Sequence, residues 1–485
     1  MNNLKHKTII GLLWSSADQF GIYFIKFGFS IWIARLLSPS DYGLLGLLAI
    51  FIAISKMFAE GGLHMALIQK QNADSDDFSS VFWNNLIIGL FCYMLIFAFS
   101  EKISLFFNEP LLNPIAKLAS ISLIISPFTD IQLVRLSKEI NFKKQAKISF
   151  VATIFSGISG VVLAVKGYAV WALVWQTLIN SFIRGLLLWL SSKWKPKIVY
   201  NLKKIKVLYS YGWKIFIQGL FNAIFTNMYY PFVGKYFSTN DLGFYTRGKR
   251  FYDLFIQQST IAYGRVTFPI FSSIQNDKIR FSQTYIKSFR LLILFTIPMV
   301  TFLIITTDSI VRFLLTEKWM PATPYIKMFY LMGLYFPLYM LNQNVFNAVG
   351  RSDLSLKFEL FLKILLFITL IFTYKYGIQA IIGGQLFWGI LIYFITTFKI
   401  QKLISYSVND QLLDVFPVLI VSLLLYFLFM HIINHIKHDL ISILITFPMG
   451  MILYFMIMRI LNLNVYKTFK KMFNSYLPER LKFLL

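Results

Sequence analysis

Ser15, Asp18, Ile22 and Lys26 recur about every helical turn within an apolar run from Thr8 to Leu37, which sets a carboxylate and an ammonium on one helix face. Lys56, Glu60 and His64 follow at successive i+4 spacings, with Gly61 and Gly62 between the last two, where a helix bends or approaches another closely. Lys214, Gln218, Asn222 and Thr226 hold the same spacing for four positions. Arg250, Asp253, Gln257 and Thr260 share one side of the next segment, with Gln258 and Arg265 on another, and Tyr335, Tyr339, Gln343 and Asn347 mark a further run. A charge inside a spanning helix costs about 2.5–3.5 kcal/mol on insertion scales, so such stripes mark a pathway or a packing pair. Cations dominate: Lys26, Lys56, Lys214, Arg250 and Arg265 stand against Asp18, Glu60 and Asp253. That excess suits an anion, and diphosphate groups suit Arg and Lys well. Amides such as Gln218, Asn222 and Gln257, together with tyrosines, suit sugars. Asp18, Glu60 and Asp253 are the candidate ion-coupling residues. The plainer reading is packing, with Lys56 and Glu60 neutralising each other, amides bonding between helices and His64 sitting at an interface.

These residues need helices to position them. The 485 residues are 57% hydrophobic and 14% charged, where soluble proteins carry about 25% charged residues. Apolar runs of roughly 20 residues, each long enough to cross a bilayer core as a helix, recur as far as Arg459. The first is about twice a signal-peptide core and lacks an A-x-A-like exit, so it is read as helix 1. The runs are apolar all round, which excludes the alternating strands of a membrane barrel. Cys92, the single cysteine, reads as a small buried hydrophobe.

The expectation is an all-α polytopic membrane protein with about fourteen spans. They fall near 10–36, 43–68, 80–99, 113–134, 148–166, 169–190, 211–234, 250–271, 286–306, 323–349, 355–374, 378–398, 412–431 and 440–459. With both termini on one side, one set of loops holds about 27 Lys and Arg and the other about 12, so the positive-inside rule puts the termini in the cytoplasm. The net charge of +26 is therefore first topological and does not imply nucleic acid. Organisation follows: a membrane bundle over 1–190, a basic cytoplasmic linker over 191–210, a second bundle over 211–400, two further helices over 401–460 and a basic tail over 461–485. The linker lysines, Lys193, Lys195, Lys197, Lys203, Lys204 and Lys206, read as retention charge with affinity for anionic headgroups. No outer loop exceeds roughly twenty residues, and none groups His, Asp and Glu at metal-ligand spacing. A membrane enzyme of glycan assembly would need more room, so neither catalysis nor a cofactor is expected.

Several stretches carry a resemblance: ARLLSPSDYGLLGLLAIF at 34–51, EGGLHMALIQ at 60–69, DSDDFSSVFWNNL at 74–86, LGFYTRGKRFYDLF at 242–255, GRVTFPIFSSIQND at 264–277 and LNQNVFNAVGRSDLSLKFEL at 341–360. Together they resemble the Wzx-type polysaccharide flippases of the multidrug/oligosaccharidyl-lipid/polysaccharide exporter superfamily, close to its lipopolysaccharide and colanic-acid branch. The resemblance implies a two-lobed, MATE-like bundle in the bacterial inner membrane. It would carry undecaprenyl-diphosphate-linked repeat units outward by alternating access around a central cationic cavity. It also implies membrane lipids as surroundings, H⁺ or Na⁺ as coupling ion, and a polymerase and glycosyltransferases as pathway partners. Related peptidoglycan-precursor flippases place cavity cations on helices 1, 2 and 8, matched here by Lys26, Lys56 and Arg265. Those relatives favour arginine, so the lysines offer looser point charges. A multidrug exporter of the same superfamily is the alternative, but it would call for acidic stripes.

Overall fold

The computed structural model describes residues 21–436 and 438–474. Every regular element among them is a helix. A chain this apolar has no other economical way to satisfy its backbone in hydrocarbon. Ser15 and Asp18 lie outside the described residues. Nine of the described helical stretches are long and apolar enough to cross a membrane. The other expected spans are helical as well, but are shorter in their described part or more polar, and most of the polar stripes sit on them.

Two compact units divide at Thr246 and Arg247. In the first unit, α1 (21–36) leads into α2 (Pro39–Glu60). The SPSDYG stretch starts α2 by a reciprocal cap: the Asp41 carboxylate accepts from the Ser38 backbone at 2.8 Å, the Ser38 hydroxyl accepts from the Asp41 backbone, and Pro39 opens the first turn. The expected helix 43–68 is broken at Gly61 and Gly62, whose φ of 53° and 72° end α2 before α3 (Leu63–Gln69) begins. α4 (Ser75–Phe107), α5 (Leu112–Ala119), α6 (Ser122–Lys138), α7 (Phe142–Val165) and α8 (Val170–Leu190) complete the part expected as the first bundle. Cys92 is buried on α4.

The helix expected at 211–234 begins earlier, as α9 (Leu202–Asn227), because the Asn201 side chain caps it by accepting from the backbones of Lys203 and Lys204. α10 (Tyr229–Tyr236) and α11 (Thr239–Tyr252) follow, the division falling within α11.

The basic connection is laid along the start of α4 rather than left loose. The Trp194 indole donates to Ser75 at 2.9 Å, the backbones of Lys197 and Asn201 donate to Ser79 and Ser80 at 3.0 and 3.1 Å, and the Trp83 indole donates back to the Lys197 carbonyl at 2.8 Å. Lys197 pairs with Asp76 at 2.8 Å and Lys204 with Asp74 at 2.6 Å. The acidic, serine-rich DSDDFSS stretch is thus a receptor for the linker, and two of its lysines carry specific partners beyond general retention charge.

In the second unit a five-residue π segment, Asp253–Gln257, runs into α12 (Gln258–Ser273). The long α13 (Lys278–Leu315) packs against α14 (Thr323–Leu331), α15 (Phe336–Ala348), α18 (Val408–Asn434) and α19 (Asp439–Ile460), while α16 (Ser352–Thr373) and α17 (Ile378–Ile400) pack on each other and on α15. Its core includes the fully buried Tyr285, Phe289, Phe302, Phe346 and Tyr454. Within the expected basic tail, α20 (Asn464–Asn474) buries Val465, Tyr466 and Phe469 against that core and exposes Lys467, Lys470 and Lys471.

Candidate functional site

The helix break at Gly61–Gly62 gathers a cluster of charges. Its glycines are required by a close approach to α9: a Cβ on Gly62 would lie 2.1 Å from the Gly212 carbonyl oxygen, and one on Gly61 2.8 Å from the Tyr209 hydroxyl. One turn before the break, Lys56 reaches Glu60 at 3.6 Å and Asp130 of α6 at 3.9 Å. Just after it, His64 Nδ1 faces Glu60 at 3.9 Å. The His64 Nε2 sits 2.9 Å from the Asn85 amide, and assigning that amide with its oxygen toward the ring lets its nitrogen donate to the carbonyls of Ala59 and Val81 at 2.9 and 3.2 Å.

None of these charge contacts is short, and their side chains remain 17–44% exposed. A Lys held at hydrogen-bond distance in a dry site would be spent on its partner. At 3.6 and 3.9 Å and 44% exposed, the Lys56 ammonium keeps donors for a ligand.

Elsewhere in the first unit, Lys26 on α1 is exposed. Along α9, Lys214, Gln218, Asn222 and Thr226 keep their i+4 stripe and are all exposed, with the Thr226 hydroxyl 3.4 Å from the Asn222 amide oxygen. A row of exposed amides and a cation needs water in front of it wherever such a face meets hydrocarbon.

In the second unit, Arg250 is exposed, and Asp253 and Gln257 are half-buried along the π segment. Lys249 and Arg250 supply positive charge beside Asp253, one of whose carboxylate oxygens, Oδ1, is buried without a hydrogen-bond partner. A π segment shifts the side-chain register by one residue and is often placed at functional positions. Arg265 is exposed on α12, beyond that segment.

Sequence reasoning missed three groups. Asp130 lies inside an apolar run with no i+4 cation of its own, and only the packing of α2 on α6 pairs it with Lys56. Arg290 and Asp414 form a 2.6 Å ion pair between α13 and α18, capped by the Tyr406 hydroxyl donating to the same carboxylate at 2.6 Å. Arg247 is buried with its guanidinium 5.0 Å from the centre of the Trp319 ring. For Asp130, Arg290 and Asp414 the only signal was a charge in an apolar stretch, whereas Arg247 lies among other charges in TRGKR.

Comparison with known proteins places these features in a family. The profile of the family described as "Polysaccharide biosynthesis protein" matches residues 32–324. The chain belongs to that family. Among curated relatives it is 25% identical to the succinoglycan biosynthesis transport protein ExoT of Rhizobium meliloti, over 64% of this chain and 63% of that one. It is 23% identical to the lipopolysaccharide biosynthesis protein WzxC of Escherichia coli, over 84% and 81%. It is 22% identical to the teichuronic acid biosynthesis protein TuaB of Bacillus subtilis, over 73% and 74%. Among solved structures it superposes on a lipid II flippase, MurJ, in an inward closed conformation with a TM-score of 0.75 and 19% identity, over 93% of this chain and 99% of that one. An inward-facing multidrug resistance MATE transporter matches with a TM-score of 0.62 and 14% identity, over 79% and 95%. The MATE-like fold expected from the sequence is therefore the fold of this family member, a multi-pass membrane protein.

Proposed function

We propose that this chain flips a diphosphate-linked oligosaccharide, with undecaprenyl as the lipid, from the cytoplasmic to the outer leaflet of a bacterial inner membrane by alternating access. The basic loops face the cytoplasm, as their charge asymmetry requires. The cargo feeds envelope polysaccharide assembly, where glycosyltransferases supply it and a polymerase consumes it. The protein moves its cargo without making or breaking a covalent bond.

The observation that carries this reading is the exposed, incompletely paired cation Lys56, with Lys214, Gln218 and Asn222 exposed on the neighbouring α9. Lys26, Arg250 and Arg265 extend the cationic set, and Gln257 adds an amide. Family membership and curated relatives with roles in polysaccharide biosynthesis support it. Glu60 and Asp253, with Asp18, are the proposed link to an H⁺ or Na⁺ gradient.

The test reconstitutes the protein in vesicles with a fluorescent undecaprenyl-diphosphate sugar and follows its transfer between leaflets. Lys56→Ala should slow flipping by at least about tenfold, equivalent to about 1.4 kcal/mol, at equal protein abundance. Lys56→Arg should be milder. Recovery of wild-type flipping in the double variant Lys56→Ala, Glu60→Ala would mean that Lys56 serves only to neutralise Glu60, and would overturn its role at the phosphates.

A further inference from the structure

We infer that His64 is a proton-binding residue whose protonation at Nδ1 favours binding of the diphosphate at Lys56, so that cargo binding takes up a proton. The inference rests on the assignment of Lys56 to the diphosphate and adds a regulated partner to that site.

The tautomer follows from the assignment of the Asn85 amide that satisfies both neighbouring carbonyls. Asn85 is buried, and in that assignment its amide nitrogen donates to two backbone carbonyls, which can only accept, in exchange for a 3.4 Å contact from the Asn84 amide. Its oxygen is thereby fixed toward His64 Nε2 at 2.9 Å, so Nε2 carries the hydrogen. In the neutral ring this leaves Nδ1 as a bare lone pair. That lone pair looks at the Glu60 carboxylate 3.9 Å away, an acceptor facing an acceptor. A proton on Nδ1 converts this contact into an ion pair and costs no other hydrogen bond, because Nε2 keeps its partner. Histidine is the side chain whose ordinary titration range makes such a change reachable near neutral pH.

The consequence for Lys56 is one of charge. With both carboxylates ionised, Glu60 and Asp130 outweigh Lys56 while His64 is neutral, so Lys56 holds an anion against their repulsion and holds it weakly. Protonation balances it at two cations and two carboxylates. It also gives Glu60 a second cationic partner, which loosens its hold on Lys56 at 3.6 Å. A diphosphate therefore binds the protonated cluster better, and by linkage its binding raises the proton affinity of His64.

Four helices pack around His64 and present the following groups. α2 presents Glu60 and, a turn earlier, Lys56. α6 presents Asp130, whose partner is Lys56, while Arg135 and Lys138 on that helix are held by Ser192 and by the carbonyls of Leu67 and Lys70. α4 presents neutral Asn85, and its buried Asp77 is paired with Lys70 at 2.7 Å. α9 presents the Tyr209 hydroxyl, which lies against Gly61.

The position beside the break gives the proton a mechanical setting. Gly61 and Gly62 separate Glu60 from His64, so the Nδ1 to Glu60 contact spans the joint between α2 and α3.

The experiment measures binding of a P1,P2-dialkyl diphosphate to the purified full chain in neutral detergent without anionic lipid. Both phosphates of this diester stay singly ionised from about pH 5 to about pH 8, the window in which histidine titrates. Affinity should rise up to about tenfold across that window as pH falls, one pKa unit of linkage being a factor of ten. Calorimetry in buffers of different ionisation enthalpy should register proton uptake on binding at intermediate pH. His64→Gln should flatten both responses and hold the Lys56-dependent affinity at its high-pH level. Glu60→Gln, which removes the partner of Nδ1, should move the midpoint to lower pH. A pH dependence or proton uptake that persists in monodisperse His64→Gln protein overturns the inference. Binding indifferent to Lys56→Ala would instead remove the phosphate site itself, and this inference with it.

Discussion

Two polar regions of this molecule use similar residue types to opposite ends. In the second unit, Asn342 is fully buried and all three of its amide contacts are short, with the Tyr285 hydroxyl donating at 2.7 Å and its own nitrogen donating to Thr396 and Thr397 at 3.0 Å each. Farther along α13, Arg290 pairs with Asp414 of α18, and Tyr406 donates to the same carboxylate, both at 2.6 Å. Around the α2–α3 break, by contrast, Lys56, Glu60, Asp130 and His64 stand 3.6–3.9 Å apart and stay open to solvent. Buried polar groups lower their desolvation cost only when their partners are complete, so the first region holds helices in register. The second has capacity left over for a ligand and a proton. Residue type alone does not separate the two roles. Contact distance and exposure do.

The largest expected effect sharpens that contrast through stability. Asp414→Ala leaves the Arg290 guanidinium short of its counter-charge and should destabilise the folded protein by about 3 kcal/mol, read as a lowered Tm in detergent and a smaller monodisperse fraction. Lys56→Ala should move stability by less than about 0.5 kcal/mol. If the two variants melt alike, the distinction between the regions fails.

A smaller effect concerns the joint beside the open cluster. Gly62→Ala puts a side chain on left-handed backbone and drives its Cβ to 2.1 Å from the Gly212 carbonyl, so α3 must shift at a cost of about 1–3 kcal/mol. Gly212→Ala meets its nearest atom, the Gly62 carbonyl oxygen, at 3.0 Å and should be milder. Equal melting temperatures for both variants and wild type would mean that the close approach does not constrain the joint.

The smallest effect lies at the linker, where exposed pairs replace buried ones. The Lys204 ammonium, hydrogen-bonded to Asp74 at 2.6 Å, holds that carboxyl down at about 2, below its ordinary 3.8. A depressed carboxyl contributes stability above its ordinary value and loses it as pH falls through the folded one. Protease protection of the 191–201 segment should therefore stay constant from about pH 8 to about pH 5 and weaken only in stronger acid. A loss of protection near neutral pH would show that the clasp depends on some other group. Raised salt should weaken protection slightly, because exposed pairs are screened.

The sequence by itself determined the elements. Apolar runs fixed the helices because each spanning segment satisfies its backbone internally, although the reading began the second helix at 43 and the Ser38–Asp41 cap begins α2 at Pro39. Lys56 and Glu60 were legible together, since an i+4 spacing is a local contact on any helix. Tertiary structure decided which other charges joined them. Asp130 reaches Lys56 and Asn85 fixes His64 only because α6 and α4 pack beside the break, and no periodicity within one helix encodes a neighbour tens of residues away. The linker lysines divided in the same way: their positive charge was plain in the sequence, but their pairing with Asp74 and Asp76 required α4 to present its first turn to them. Local geometry is written in spacing, whereas contact between distant segments depends on how whole helices fill space against one another.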